Sequence, residues 1–207
     1  MADNELKILG INTSPRENGY SAKLLGKALE GAVGFESSYG YTFTTEMYHV
    51  ASKNHRPCSG CRACKNGKGC VIQDDMLRLH DKMREADGII FATPIYFYDV
   101  TAQCKIIIDR CFAISPLNGN KAGAIITTAS SMGTSGAIST MHMIFSVLGI
   151  TSAGWLSAYS KADEGQAAAK SALELGAKTA WIAQEKRRIN CAAFDGFRHI
   201  AYGTHTI

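Results

Sequence analysis

Hydrophobic positions along this chain alternate between short continuous apolar runs and longer stretches in which apolar residues recur every three to four positions. The first run, residues 6–11, is apolar enough for a strand buried on both faces. After the turn-rich NTSPRENG comes 20–33, where Leu24, Leu25, Ala28, Leu29 and Ala32 share a helical face and Gly31 and Gly34 stand near the stop. A second strand is predicted over 41–50, followed by an irregular loop. Asp74 and Asp75 then open a helix through about residue 86, their charges suited to its positive end. The clearest strand, 88–93, is expected to stop at Pro94, which cannot donate to a ladder. A helix over 100–112, a strand over 122–128, a small-residue helix over 133–148, a strand over 154–159 and a long helix over about 164–187 follow. Residues 189–207 show no clear period.

Five strands alternating with five helices specify an α/β fold: a mostly parallel, doubly wound sheet with helices on both faces, because right-handed crossovers lay each helix over the sheet. The 207 residues suit one large domain better than two, and a chain this long buries about 70% of its unfolded surface without disulfides. With 46% hydrophobic and 19% charged residues and 4 Pro, the composition excludes disordered, collagen-like and coiled-coil classes. The net charge of +4 comes with no basic stripe or recognition-helix motif, so nucleic acid is not indicated, while a specific acidic partner is compatible with it. No basic segment leads into an apolar run at the N-terminus, and no apolar stretch approaches ~18 residues. A cytoplasmic location, with no membrane association, is expected.

Ligands of open α/β sheets bind beyond the carboxyl ends of the strands, and three loops there carry unusual chemistry. The first, NTSPRENGYS, gathers Ser14, Arg16, Asn18 and Ser21 at the start of a helix, where free N–H groups and the dipole favour a phosphate. It lacks the glycine fingerprints of dinucleotide and triphosphate sites, so hydroxyls plus one arginine suit a single phosphate monoester. The alternative is that Asn18 or Ser21 caps the helix. The second, TPIYFYDVT, sets Tyr96, Phe97 and Tyr98 after a strand, as a wall for a flat ring or as packing for the core or an oligomer interface. The third, TASSMGTSG, offers hydroxyls and flexible backbone at the same edge, or is an ordinary polar turn. A phosphate at one end and a ring at the other outline flavin mononucleotide, FMN.

The segments TSPRENGYSAKLL, ATPIYFYDVTAQCKIIIDR and TTASSMG resemble the flavodoxin-like NAD(P)H-dependent FMN reductase family over about residues 6–185. CSGCRACKNGKGCVIQDDM narrows the resemblance to the iron–sulfur flavoproteins. The resemblance implies one flavodoxin-like FMN-binding domain over 1–207, with a cysteine-rich loop at about 52–73 and a C-terminal tail at about 189–207. It implies that Ser14, Arg16, Asn18 and Ser21 bind the FMN phosphate. Thr93, Pro94, Ile95, Tyr96 and Phe97 would border the isoalloxazine, and Ser130, Ser131, Met132 and Gly133 would complete the pocket. It further implies homodimers or homotetramers and, from the plain reductases, NAD(P)H as electron donor, whereas the basic residues of the cysteine loop point instead to an acidic one-electron carrier such as ferredoxin.

Four of the seven cysteines, Cys58, Cys61, Cys64 and Cys70, fall within thirteen residues as C-x2-C-x2-C-x5-C. In a reducing compartment such density points to metal ligation rather than disulfides. The spacing resembles a ferredoxin run without its final proline, which favours a [4Fe–4S] cluster over zinc, whose structural sites pair two separated knuckles. A redox-labile thiol group, or a relic motif, is the alternative. Lys53, Arg56, Arg62, Lys65 and Lys68 surround the group with no acidic residue between 53 and 68, which favours thiolates. Cys104 and Cys111 read as small core residues of one helix face. The histidines show neither metal-ligand nor catalytic spacing. The reading is an FMN-dependent oxidoreductase passing electrons through a cluster and FMN. An NAD(P)H-dependent FMN or quinone reductase without a cluster is the rival enzyme, and a flavodoxin-type carrier or redox sensor the rival of another class.

Overall fold

The computed structural model describes residues 4–117, 119–159 and 166–189. Strands β1 (Glu5–Asn12), β2 (Thr42–His49), β3 (Gly88–Pro94), β4 (Lys121–Ala129) and β5 (Ile150–Tyr159) form one parallel sheet in the order β2-β1-β3-β4-β5. Every residue of β3 and β4 is buried, as near-continuous apolar runs require when helices cover both faces. On one face, Leu9, Ile11, Ile89, Phe91 and Ile125 pack with side chains of α2 (Asp75–Glu85), α3 (Ala102–Arg110) and α4 (Thr134–Leu148). On the other, Leu6, Ile8, Ile90, Ala124 and Ile126 meet α1 (Tyr20–Val33) and α5 (Gln166–Ile189). The alternation of these names along each strand is the two-residue period of the pleat. The flavodoxin-like doubly wound arrangement is therefore the fold of the chain.

Helices α1 and α5 approach backbone to backbone. A Cβ on Gly31 would lie 2.0 Å from the Leu173 carbonyl oxygen, and one on Gly176 would lie 1.7 Å from that of Ala28. Only glycine fits at either point. Asp74 caps α2, its side chain accepting from the Met76 N–H, and Thr101 caps α3 by accepting from Cys104.

Most boundaries differ from the sequence reading by a residue or two, and three of the differences have a physical reason. Strand β3 includes Pro94, paired with Thr128, because Ile95 supplies the next N–H to β4 while the β1–β3 ladder has already ended at Ala92. Strand β5 begins at Ile150, four residues before the expected start. Gly154 lies in it at φ +124, beside a register shift between Gly123 and Ala124, so the glycine marks a bulge rather than a boundary. Helix α3 gives way at Cys111 to a 3-10 turn, Cys111–Ile114. The approach to α5 over 160–165, and Cys191 with the rest of the tail from 190, lie outside the described residues.

Candidate functional site

The strand order reverses between β1 and β3, and a cleft of about 470 Å³ lies at their carboxyl ends and that of β4. At one end stand Ser14, Arg16 and Ser21 around the start of α1. The N-cap of α1 is Gly19, in extended backbone and with no side chain with which to cap, so the start of the helix takes no side-chain cap. Neither Asn18 nor Ser21 caps it. Ser14 is buried, its Oγ accepting from the Arg16 N–H at 3.0 Å, while Ser21 Oγ and Thr128 Oγ1 are 2.6 Å apart and tie the first turn of α1 to the end of β4. Hydroxyls, one guanidinium and a helix N-terminus are the donor set that a phosphate monoester takes.

The other end is apolar. Pro94, Ile95, Tyr96 and Phe97 line it, with Ser130 across from them on the β4 side. Tyr96 and Asp99 bond to each other through their backbones, closing a tight turn in which Phe97 (φ 50°) and Tyr98 (φ 68°) adopt left-handed backbone. Glycine and asparagine normally fill such positions, so two aromatics there carry strain of the kind found at ligand clamps. Phe97 is 97% exposed, its ring 6.2 Å from that of Tyr98.

Five of the expected residues do not line the cleft. Asn18 is exposed in the loop before α1. Thr93 is fully buried beneath the cleft floor, its hydroxyl bonded to the Pro94 carbonyl and accepting weakly from the Thr101 N–H. Ser131 and Met132 stand exposed beyond the rim, the Met132 sulfur accepting from Tyr98 Oη, and Gly133 is the left-handed N-cap of α4. Conversely, Gly19, Tyr20, Thr128 and Ala129 line the cleft and were not singled out. Thr128 and Ala129 lie within the TTASSMG run, which was the available signal.

The four clustered cysteines all line a second cavity, of about 310 Å³, together with Asp109, Arg110, Phe112 and Ala113 at the end of α3. Among the described residues no three Cys, His, Asp or Glu side chains are gathered closely enough to hold a metal ion. Cys58 and Cys61 are exposed, Cys64 and Cys70 half-buried. The donor set nevertheless suits a thiophilic centre. Left-handed backbone at Gly60, Arg62, Gly67 and Gly69 coils the loop tightly. The Gly60 N–H points at the Cys58 sulfur (3.5 Å), and the Ala63 N–H with the Ser59 hydroxyl holds the Cys61 thiol below the usual thiol range. Arg110 Nη2 donates to Cys70 Sγ at 3.2 Å. Arg110 was not singled out, since nothing in the run IIIDR separates a buried arginine from an exposed one.

The loop is pinned at its base. Asp74 accepts from the Arg56 N–H, the Met76 N–H and Arg110; burial pushes its carboxyl up, but these bonds outweigh it and the net shift is downward. Tyr48 Oη lies 3.0 Å from His55 Nε2, and Asn54 and Arg56 bond to the start of α2. Cys104 and Cys111 are core residues, their thiols pushed up to about 12 by burial.

The sequence profile of the NADPH-dependent FMN reductase family matches residues 6–164. The chain belongs to that family of flavin-dependent oxidoreductases. Within it the chain groups with the iron–sulfur flavoproteins. It is 32% identical to one from Archaeoglobus fulgidus over 189 residues, 89% of this chain and 83% of that one. It is 38% identical to one from Methanosarcina thermophila over 131 residues, 61% of this chain, and there the chain spans just under two thirds, 64%, of its relative's length. Among solved structures, this FMN reductase homologue resembles a flavone reductase with TM-score 0.68 at 20% identity, covering 88% of this chain and 64% of that one. It also resembles an FMN-dependent NADH-azoreductase from Bacillus anthracis in complex with FMN, with TM-score 0.58 at 13% identity, covering 88% and 99%. At these identities the structural likenesses speak for the fold alone. No helix among the described residues is long and apolar enough to cross a membrane.

Proposed function

We propose that the protein is an FMN-dependent oxidoreductase that binds FMN in the cleft above β1 and β3 and a [4Fe–4S] cluster at Cys58, Cys61, Cys64 and Cys70, in a single FMN-binding unit. The observation that carries the reading is that all four thiols line one cavity at the end of α3, while the N-cap of that same helix holds the floor of the flavin cleft. Thr101 Oγ1 donates to the Thr13 carbonyl, next to Ser14, and its N–H reaches Thr93, next to Pro94. When bound, FMN exchanges one or two electrons and the cluster one, which suits coupling a one-electron carrier to a two-electron reduction. The chain's own residues position and enclose. Ser14, Arg16 and Ser21 take the phosphate, Pro94 to Phe97 wall the ring from water, and the cysteine loop supplies four thiolates.

Lys53, Arg56, Arg62, Lys65 and Lys68 are all exposed, and Arg62 and Lys65 line the cysteine cavity, which suits docking of an acidic one-electron carrier such as ferredoxin. A homodimer or homotetramer would cover Phe97 and Tyr98 at the cleft rim. Iron, acid-labile sulfide and FMN analysis after anaerobic reconstitution tests the assignment. Cys64→Ala should lose iron and sulfide yet keep FMN, and Arg16→Ala should weaken FMN but not riboflavin, which has no phosphate. Uptake of zinc without iron or sulfide would end the cluster reading.

A second reading is favoured by the two exposed, dispersed thiols: an NAD(P)H-dependent FMN or quinone reductase in which the cysteines hold no cluster. Salt separates the two. Ferredoxin-driven flavin reduction should slow steeply above about 0.1 M ionic strength, where screening length falls to ~10 Å. Fast reduction of Cys64→Ala by NADPH, with slow and salt-indifferent reduction of intact protein by ferredoxin, would favour the second reading.

A further inference from the structure

Arg110 heads the largest fully buried side chains of the described residues, an unusual place for an arginine. Its Nη1 donates to the Asp74 carboxylate at 2.5 Å and to the Arg56 carbonyl at 3.1 Å. Its Nη2 donates to the Ile72 carbonyl and to Cys70 Sγ, each at 3.2 Å, and its buried Nε has no partner. Arg56 and Ile72 bracket the cysteine segment, so one guanidinium joins both ends of the loop to the end of α3. A buried ion pair alone is weak ground for stability, because desolvation offsets the Coulombic gain. A guanidinium that also spends donors on two loop carbonyls and a ligand sulfur is better explained by what it does to the loop.

We propose that Arg110 is the positioning residue of the cysteine loop, drawing its two ends onto α3 and holding a fixed positive charge against the Cys70 sulfur, so that a cluster on these thiols is easier to reduce. The electrostatic half rests on the cluster reading above, whereas the clamp does not. Reduction adds an electron to a site already negative from its thiolates, and the guanidinium favours the more negative state because its Nη2 bonds the Cys70 sulfur directly while its counter-ion Asp74 sits on Nη1. The exposed Arg62 and Lys65 are screened by water and salt and cannot substitute for it.

Two variants separate clamp from charge. Arg110→Gln combined with Asp74→Asn removes both charges and leaves no unpaired buried carboxylate, while Asn still caps α2. Arg110→Lys keeps the charge and loses the fork. In cluster-free, FMN-loaded protein, trypsin should cut between Arg56 and Lys68 roughly tenfold faster in both variants than in the unaltered protein, with retained FMN reporting an intact fold. After reconstitution with iron and sulfide, a redox titration followed by electron paramagnetic resonance should show the double variant's midpoint lowered by at least about 59 mV, tenfold for a one-electron couple. Arg110→Lys should stay near the unaltered value. Unchanged trypsin rates in both variants would overturn the clamp, and an unchanged midpoint in the double variant would overturn the electrostatic role. If the unaltered protein takes up no iron and sulfide, the cluster reading fails and the electrostatic role with it, while the trypsin rates still decide the clamp.

Discussion

Phe97 and Tyr98 hold left-handed backbone that costs a side-chain-bearing residue about 1–2 kcal/mol each. Strain of this size persists only where the surroundings impose it, and here it sets Phe97 at the lip of the cleft proposed for FMN. Phe97→Gly should therefore stabilise the turn by about 1 kcal/mol while weakening FMN, a pairing of raised melting temperature and lowered affinity that calorimetry and flavin titration would read together. His80 makes the opposite trade. Burial, with the Arg84 and Arg110 charges nearby, lowers its pKa to about 4 and so holds it neutral in the folded protein, outweighing the 3.1 Å contact of its Nε2 with the Arg110 carbonyl, which acts the other way. Its unfolded value is near 6.5, so the unfolded chain binds the extra proton first. The stability that depends on a neutral His80 is thus complete above pH 6.5 and is lost as pH falls toward 4, on the order of 3 kcal/mol across that window. Urea denaturation of the protein and His80→Gln at pH 7 and pH 4.5 checks this: the variant should lose less stability on acidification.

At the scale of elements, the α1–α5 contact depends on two glycines rather than on side-chain volume. Gly176→Ala would drive a methyl into the Ala28 carbonyl and force the helices apart, an overpacking cost of about 3 kcal/mol, seen as a melting temperature lower by roughly 6–12 °C. The elements themselves were legible because their periods differ so clearly: Leu24, Leu25, Ala28 and Leu29 mark a helix as surely as the run over 88–93 marks a buried strand. That Ser14, Arg16 and Ser21 would line one end of the cleft was legible for the same local reason, since they sit together in one loop. What failed to show were facts that only packing creates. Thr93 looks like a lining residue until Thr101 turns its hydroxyl into part of the floor, and Gly154 looks like a strand start until the β4 register reveals a bulge. Arg110 is invisible for that reason too: a basic residue ending an apolar helix ordinarily reaches solvent, and only the loop folded over it takes that solvent away.

For the molecule as a whole, the two candidate sites share one short element. Helix α3 rises only about 13 Å over its nine residues, and its amino end anchors the cleft at the strand ends while its carboxyl end walls the cysteine cavity. Its inner face, Cys104, Ile107 and Ile108, is sealed in the core, so it offers no hinge between the two. Saturating FMN at a hundredfold over its dissociation constant adds about 2.7 kcal/mol to the stability of whatever unit unfolds when FMN leaves. If that unit includes all of α3, amide hydrogens at Ile107 to Arg110, on the side away from the flavin, should slow their exchange with deuterium by the same hundredfold as those beside Thr101, and mass-resolved exchange with and without FMN would read both at once. Slowing confined to the amino end would show that the helix frays from the cysteine side. Equal slowing would make the helix a single clock for both sites, so that the wall behind the half-buried Cys64 and Cys70 gives way only when the floor of the cleft does.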